Sequence, residues 1–185
     1  MARFDIAKEY TSDLEGGFWN DPSAGYTYAG ITFKYYPDWE GWTRLIQLGK
    51  QFFGAIEKIP RYTKFNDTIL DEDVNNYYQQ RQWKFLSKGD SIINQTIANM
   101  IYDFIVHKEN AAIRVINKAV KTKDSTVITN GSQLSHQVVL LLNQYPQDLY
   151  KAIRAARINY YKKGPFSTKV KKAFIKRVQR FPVEI

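Results

Sequence analysis

Apolar residues recur along this chain mostly at intervals of three and four, the period of a helix with one buried face. Phe4, Ala7, Tyr10 and Leu14 open the series, and the Gly16-Gly17 pair supplies a stop. A stretch rich in Gly, Pro and Tyr follows, to about Gly41. Then Trp42, Leu45, Ile46, Gly49, Phe52, Phe53 and Ile56 mark one face of a buried helix, broken before Pro60. A further helix is expected with Asp71 as its N-cap and Val74, Tyr77, Tyr78 and Phe85 inward. Another begins near Ser91, where Ile93, Ile97, Met100, Ile101 and Phe104 line one side. Asn110–Lys121, Ser132–Asn143, Gln147–Lys162 and Ser167–Arg180 read as shorter helices. The polar run Lys121–Ser132 reads as a loop with a turn at Asn130-Gly131. Alternating patterns are few, so the pattern predicts a mainly α fold with at most a small β element near Tyr26–Ile31.

Composition narrows the class. The 185 residues suffice for one domain, or one with a small appended lobe, and the apolar fraction of 44% excludes a disordered chain. There is no cysteine, which removes disulfides, thiolate catalysis and cysteine-based metal sites. The first residues carry Asp5 and Glu9 and no apolar run of signal-peptide length, and Val138–Leu142 is far too short to span a bilayer. The expectation is a protein made in the cytoplasm without a classical signal and without a membrane span, reaching the outside only by another release route.

The net charge of +9 is unevenly placed. Lys151–Arg180 holds eleven Lys/Arg and no Asp/Glu, leaving sixteen basic against eighteen acidic residues elsewhere. Such a run either attracts polyanions (nucleic acid, anionic lipid, cell-wall polymers) or is a solvated helix face.

Few constellations carry chemistry. His107 and His136 lie 29 residues apart with no partner at ligand spacing, so neither a metal site nor a cofactor is expected. No phosphate-binding glycine loop is present, since Glu15-Gly16-Gly17-Phe18 lacks the Lys-Ser/Thr that would follow. Glu15 is the notable carboxylate. At the end of the first helix it would face the negative end of the macrodipole, and Phe18 and Trp19 would desolvate it; both raise a carboxyl pKa. A carboxylic acid protonated near neutrality is what general-acid cleavage of a glycosidic bond needs. The alternative is a solvated helix end. Trp19, Tyr26, Tyr28, Tyr35, Tyr36, Trp39 and Trp42 crowd the same region, and Trp19 and Tyr26 are the better candidates for stacking on a sugar face.

The stretch resembles the glutamate loop of glycoside hydrolase family 108, phage and bacterial N-acetylmuramidases with a lysozyme-like helical fold. Glu15-Gly16-Gly17-Phe18, Asn20-Asp21-Pro22, Gly25, Thr27 and Gly30-Ile31-Thr32 match its motifs in order. Tyr77-Tyr78 and Trp83 resemble its downstream aromatics. Asn94-Gln95, Ala98-Asn99, Tyr102-Asp103-Phe104, Arg157, Tyr160-Tyr161 and Arg177-Val178 look like the predicted peptidoglycan domain usually fused behind that module. The resemblance implies a muramidase-like module over residues 1–90 and a helical peptidoglycan-domain-like lobe over 91–185, packed as one unit. It also implies Glu15 as general acid, peptidoglycan or another anionic wall polymer as partner, and Asn20, Thr27 and Thr32 beside Trp19 and Tyr26 as substrate-binding positions.

One departure stands out. The family's second acid lies about nine residues after the glutamate, where this chain has Ala24. Asp21 is near enough to substitute, or forms an Asx-turn before Pro22. Asp103 could approach from another helix, or is a satisfied packing group. Two other functions stay open: a degenerate relative that binds the wall without cleaving it, in secretion or a phage tail, and a nucleic-acid-binding helical domain.

Overall fold

The computed structural model describes residues 1–12, 16–22 and 24–185. The chain is mainly α, with helices α1 (Phe4–Ser12), α2 (Gly41–Phe53), α3 (Thr68–Tyr77), α4 (Gln95–Lys121), α5 (His136–Gln144), α6 (Pro146–Lys163) and α7 (Thr168–Gln179). A small antiparallel sheet, β1 (Trp19–Asp21), β2 (Gly25–Tyr28) and β3 (Ile31–Thr32), lies between α1 and α2 in the chain. Two compact units emerge: Ser12–Gln80, and Met1–Thr11 together with Arg81–Ile185. This division differs from one at residue 90, because α1 joins the C-terminal helices.

In the Ser12–Gln80 unit, β2 and β3 are joined by Ala29 and Gly30, with φ of 45° and 79°. Tyr28 pairs with Ile31, so these two residues form a two-residue hairpin turn with both φ positive, a geometry that favours Asn-Gly. Tyr78 Oη donates to the Ala29 carbonyl at 2.6 Å and holds the turn. Alanine pays a steric penalty there that asparagine largely avoids. Ala29→Asn is therefore expected to raise stability by about 0.5–1 kcal/mol, read from the urea midpoint.

Helix α2 buries Trp42, Leu45, Leu48 and Gly49 and ends at Gly54. Two residues expected inward, Ile46 and Phe52, are 47% and 60% exposed. An apolar residue on both flanks of the stripe made it read wider than the buried face. The N-cap of α3 is Asp67, which accepts the Leu70 N–H at 3.0 Å and pairs with Arg44 of α2. Asp71, expected as the cap, lies one turn further on, its N–H bonded to the Asp67 carbonyl. Beyond α3 the helix widens into a π-helical segment, Tyr78–Leu86. The wider turn shifts the inward positions to Trp83 and Leu86, and Phe85 is 48% exposed.

In the other unit, every residue of α4 from Ile97 to Ile105 is buried, as expected of a helix surrounded by others. It joins the two helices expected near Ser91 and at Asn110–Lys121, with non-helical backbone at Lys108. Asn94 caps it, accepting from the Ile97 N–H. Gln95 clamps the chain before α1 by bonding both the N–H and the carbonyl of Arg3. Ser135 and Ser167 cap α5 and α7.

An ionic cluster sits at the centre of this unit. The Asp103 carboxylate meets Arg157 of α6 at 2.5 Å and Arg177 Nε of α7 at 2.9 Å, and accepts from Thr11 Oγ1 of α1 at 3.2 Å. Burial would raise the Asp103 pKa, but the charges and hydrogen bonds of Arg157 and Arg177 outweigh it and hold the carboxyl below its ordinary range. Arg157 also donates to the Met100 carbonyl and lies over the Phe104 ring.

His107 borders the cluster, with Nδ1 2.8 Å from Tyr161 Oη and its ring edge-on to Phe174. Burial first, then the charges of Arg177, Lys108 and Arg157, push its pKa from 6.5 down to about 3. The unfolded chain takes up a proton below pH 6.5 that the folded one refuses. The stabilisation is thus complete above that pH and declines by up to about 1.4 kcal/mol per pH unit on acidification towards pH 3. Urea midpoints at about pH 7.5 and 4.5 are expected to differ less in His107→Gln than in the wild type.

Candidate active site

The site is built on the segment that leads from the Gly-Gly pair into the sheet. Glu15 lies outside the described residues, as does Ser23; the geometry starts at Gly16. A Cβ on Gly17 would fall 2.3 Å from the Thr63 carbonyl oxygen and 2.6 Å from that of Tyr62, so only glycine allows this approach. Phe18 then bonds to the facing strand of chain in both directions, its N–H to Thr63 O at 2.8 Å and its carbonyl to Tyr62 N–H at 2.7 Å. Its ring is fully buried.

The sheet register sorts the candidate residues by face. Trp19 pairs with Thr27, and Thr27 with Thr32, so these three side chains share one face, with Asp21 two residues along from Trp19. The contacts agree: Thr27 Oγ1 and Thr32 Oγ1 are 3.1 Å apart, and Trp19 Nε1 donates to Asp21 Oδ2 at 3.1 Å. Asn20 pairs with Tyr26, placing both on the opposite face with buried Tyr28 and Ile31. The Tyr26 ring lies 5.9 Å from that of Phe18. The structure therefore brings together Trp19, Asp21, Thr27 and Thr32, and directs Asn20 and Tyr26 elsewhere.

Asp21 closes the β1–β2 hairpin. Its Oδ1 accepts the Ala24 N–H at 3.0 Å, while Oδ2 takes the Trp19 indole. Ala24, at the position where the resemblance placed a second acid, is thus part of this turn. Asp103 is in the other unit, 1% exposed in its side chain and bound to Arg157, Arg177 and Thr11, with no open surface for a sugar to reach.

Two residues that the sequence pattern left unmarked complete the Trp19 face. Pro60–Thr63 is a tight turn, with Thr63 N–H bonded to Pro60 O and φ of 69° at Tyr62. The Arg61 guanidinium lies 3.3 Å from the centre of the Trp19 ring and 4.5 Å from that of Tyr62. The two rings are 6.3 Å apart and inclined by 21°, and the cation lies over both of them, nearer to Trp19. The turn carries no glycine, so its left-handed residue was invisible in the sequence.

Of the other aromatics of this region, Tyr35 is 66% exposed, whereas the two tryptophans are structural. Trp39 and Trp42 are buried edge-to-face, with their indole N–H groups on the carbonyls of Asp73 and Tyr36. Among the described residues, no three His, Asp or Glu side chains group to hold a metal ion, and no helix is long and apolar enough to cross a membrane.

A family model described as glycosyl hydrolase 108 matches residues 8–108. Among solved structures, that of SagA from Brucella abortus aligns with a TM-score of 0.59 at 18% identity, covering 96% of this chain and 90% of that one. This likeness is one of fold. No curated protein sequence matches the chain.

Proposed function

Because the chain belongs to the glycosyl hydrolase 108 family and has a mainly α, lysozyme-like fold, we propose that it cleaves the glycan strand of peptidoglycan as an N-acetylmuramidase, with Glu15 as general acid. The observation that carries this reading is the family match, which spans the whole Glu15–Thr32 loop. Glu15 protonates the glycosidic oxygen as the bond breaks. Trp19 offers an apolar surface to a pyranose ring, and the Thr27 and Thr32 hydroxyls offer hydrogen bonds beside it. Asp21 supplies negative charge on that face, either opposing the positive charge that develops on the sugar carbon or ordering a water. The action belongs at the cell wall.

The test is loss of turbidity of purified peptidoglycan, with the new reducing ends identified. Ends on N-acetylmuramic acid support the reading; no release over pH 4–8 with several wall types removes it.

A second reading has its own support. Ala24 occupies the second-acid position, and both Asp21 oxygens are engaged within the hairpin. A protein that binds the wall without cutting it would sediment with insoluble peptidoglycan and release no reducing ends. Nucleic-acid binding is less favoured than the basic run suggested, because Arg157 and Arg177 are committed to Asp103 rather than to a surface.

A further inference from the structure

The Trp19–Arg61–Tyr62 stack has a chemistry that sugar stacking does not require. Trp19 is fixed by its bond to Asp21, and Tyr62 holds a left-handed backbone with its side chain 63% exposed. Strain of this kind persists where surrounding contacts enforce it, here the two backbone bonds to Phe18. The guanidinium lies against both rings, 3.3 Å from the centre of Trp19 and 4.5 Å from that of Tyr62. Arg61 is nonetheless an exposed residue, and among the described residues no side-chain or backbone oxygen pairs with it. A guanidinium resting on two rings keeps its planar N–H fork available to an anion, at reduced further entropic cost on binding.

We propose that Arg61 is a specificity-determining residue that receives a carboxylate of the substrate through this fork. The proposal takes its substrate from the peptidoglycan reading above. The peptide branches of that polymer carry free carboxylates close to the glycan strand. A phosphate of a wall-linked polymer is the other source of a two-oxygen anion. The neighbouring rings favour the planar carboxylate, whose two oxygens match the fork, over the bulkier tetrahedral phosphate. The neighbouring Thr27 and Thr32 hydroxyls are on the same sheet face as Trp19, so a glycan bound there has its peptide branch within the chain's reach of Arg61.

The test compares wild type and Arg61→Met, which keeps an unbranched apolar side chain beside the rings without the fork. Each is assayed on purified peptidoglycan in three forms: untreated, with its carboxylates amidated, and stripped of phosphodiester polymers by acid. Sedimentation gives binding, and reducing ends give KM and kcat. Amidation is expected to weaken wild-type binding and raise KM roughly tenfold with little change in kcat. Phosphate stripping is expected to change neither. Arg61→Met on untreated wall should match wild type on amidated wall and be indifferent to amidation. Arg61→Lys, with charge but no planar fork, should restore little.

Equal behaviour of wild type and Arg61→Met overturns the proposal, as does a loss that follows phosphate removal instead of amidation. If nothing is cleaved but amidation still weakens binding through Arg61, the hydrolase reading fails and this one stands. If the wild type binds no form of the wall, both fall.

Discussion

Arg157→Met is expected to destabilise the unit containing α1 and α4–α7 by about 3–5 kcal/mol, seen as a large drop in urea midpoint. The cost comes less from lost attraction than from what stays behind. Asp103 has 1% of its side chain exposed, and without Arg157 its charge keeps, among the described residues, only Arg177 as a close cation. The Met100 carbonyl and Tyr161 hydroxyl lose a donor as well. Removing the carboxylate together with the guanidinium leaves less uncompensated charge, so Asp103→Leu combined with Arg157→Met should be more stable than Arg157→Met alone. A double variant as unstable as the sum of the two singles would show that the pair is not coupled. With total stabilities of about 5–15 kcal/mol for ordinary domains, the single change is large enough to leave much of the chain unfolded.

Glu15→Gln is expected to lower the rate of glycan cleavage by about 10²–10⁴-fold, with the urea midpoint and wall sedimentation close to wild type. Glutamine keeps the shape and hydrogen-bonding reach of the acid but has no proton to give to the leaving oxygen. The pH profile supplies a second readout. A general acid works in its protonated form, so wild-type activity should decline as pH rises through the Glu15 pKa, and the residual activity of the variant should lack that limb. A Glu15→Gln protein as active as wild type would move the acid elsewhere on the chain.

The helices were legible in the sequence where one face alone is apolar, as in α6 and α7, whose expected spans differ from the observed ones by a residue at most ends. Legibility failed where the period changed. The π-helical turn at Tyr78–Leu86 rotates Trp83 and Leu86 inward, and no spacing rule for a 3.6-residue helix finds that. The pattern also could not single out two arginines of the basic run, because they answer a buried aspartate more than fifty positions away. In the candidate site, the Gly17 contact and the Thr27–Thr32 pair follow from motif positions. The Arg61 stack does not, since it depends on a backbone angle at Tyr62 that local composition does not announce.

The pairing of α1 with the last helices has a consequence for synthesis. Thr11 reaches Asp103, Gln95 holds Arg3, and the Tyr10 ring stacks on Phe181. During synthesis α1 leaves the ribosome ahead of these partners, which arrive about ninety to one hundred and seventy residues later. The Ser12–Gln80 segment can assemble its own core during that interval, while α1 waits with an unburied apolar side. Completion of the larger unit is thus a late, long-range event, and the nascent chain is most open to proteolysis and aggregation until α7 has cleared the exit tunnel.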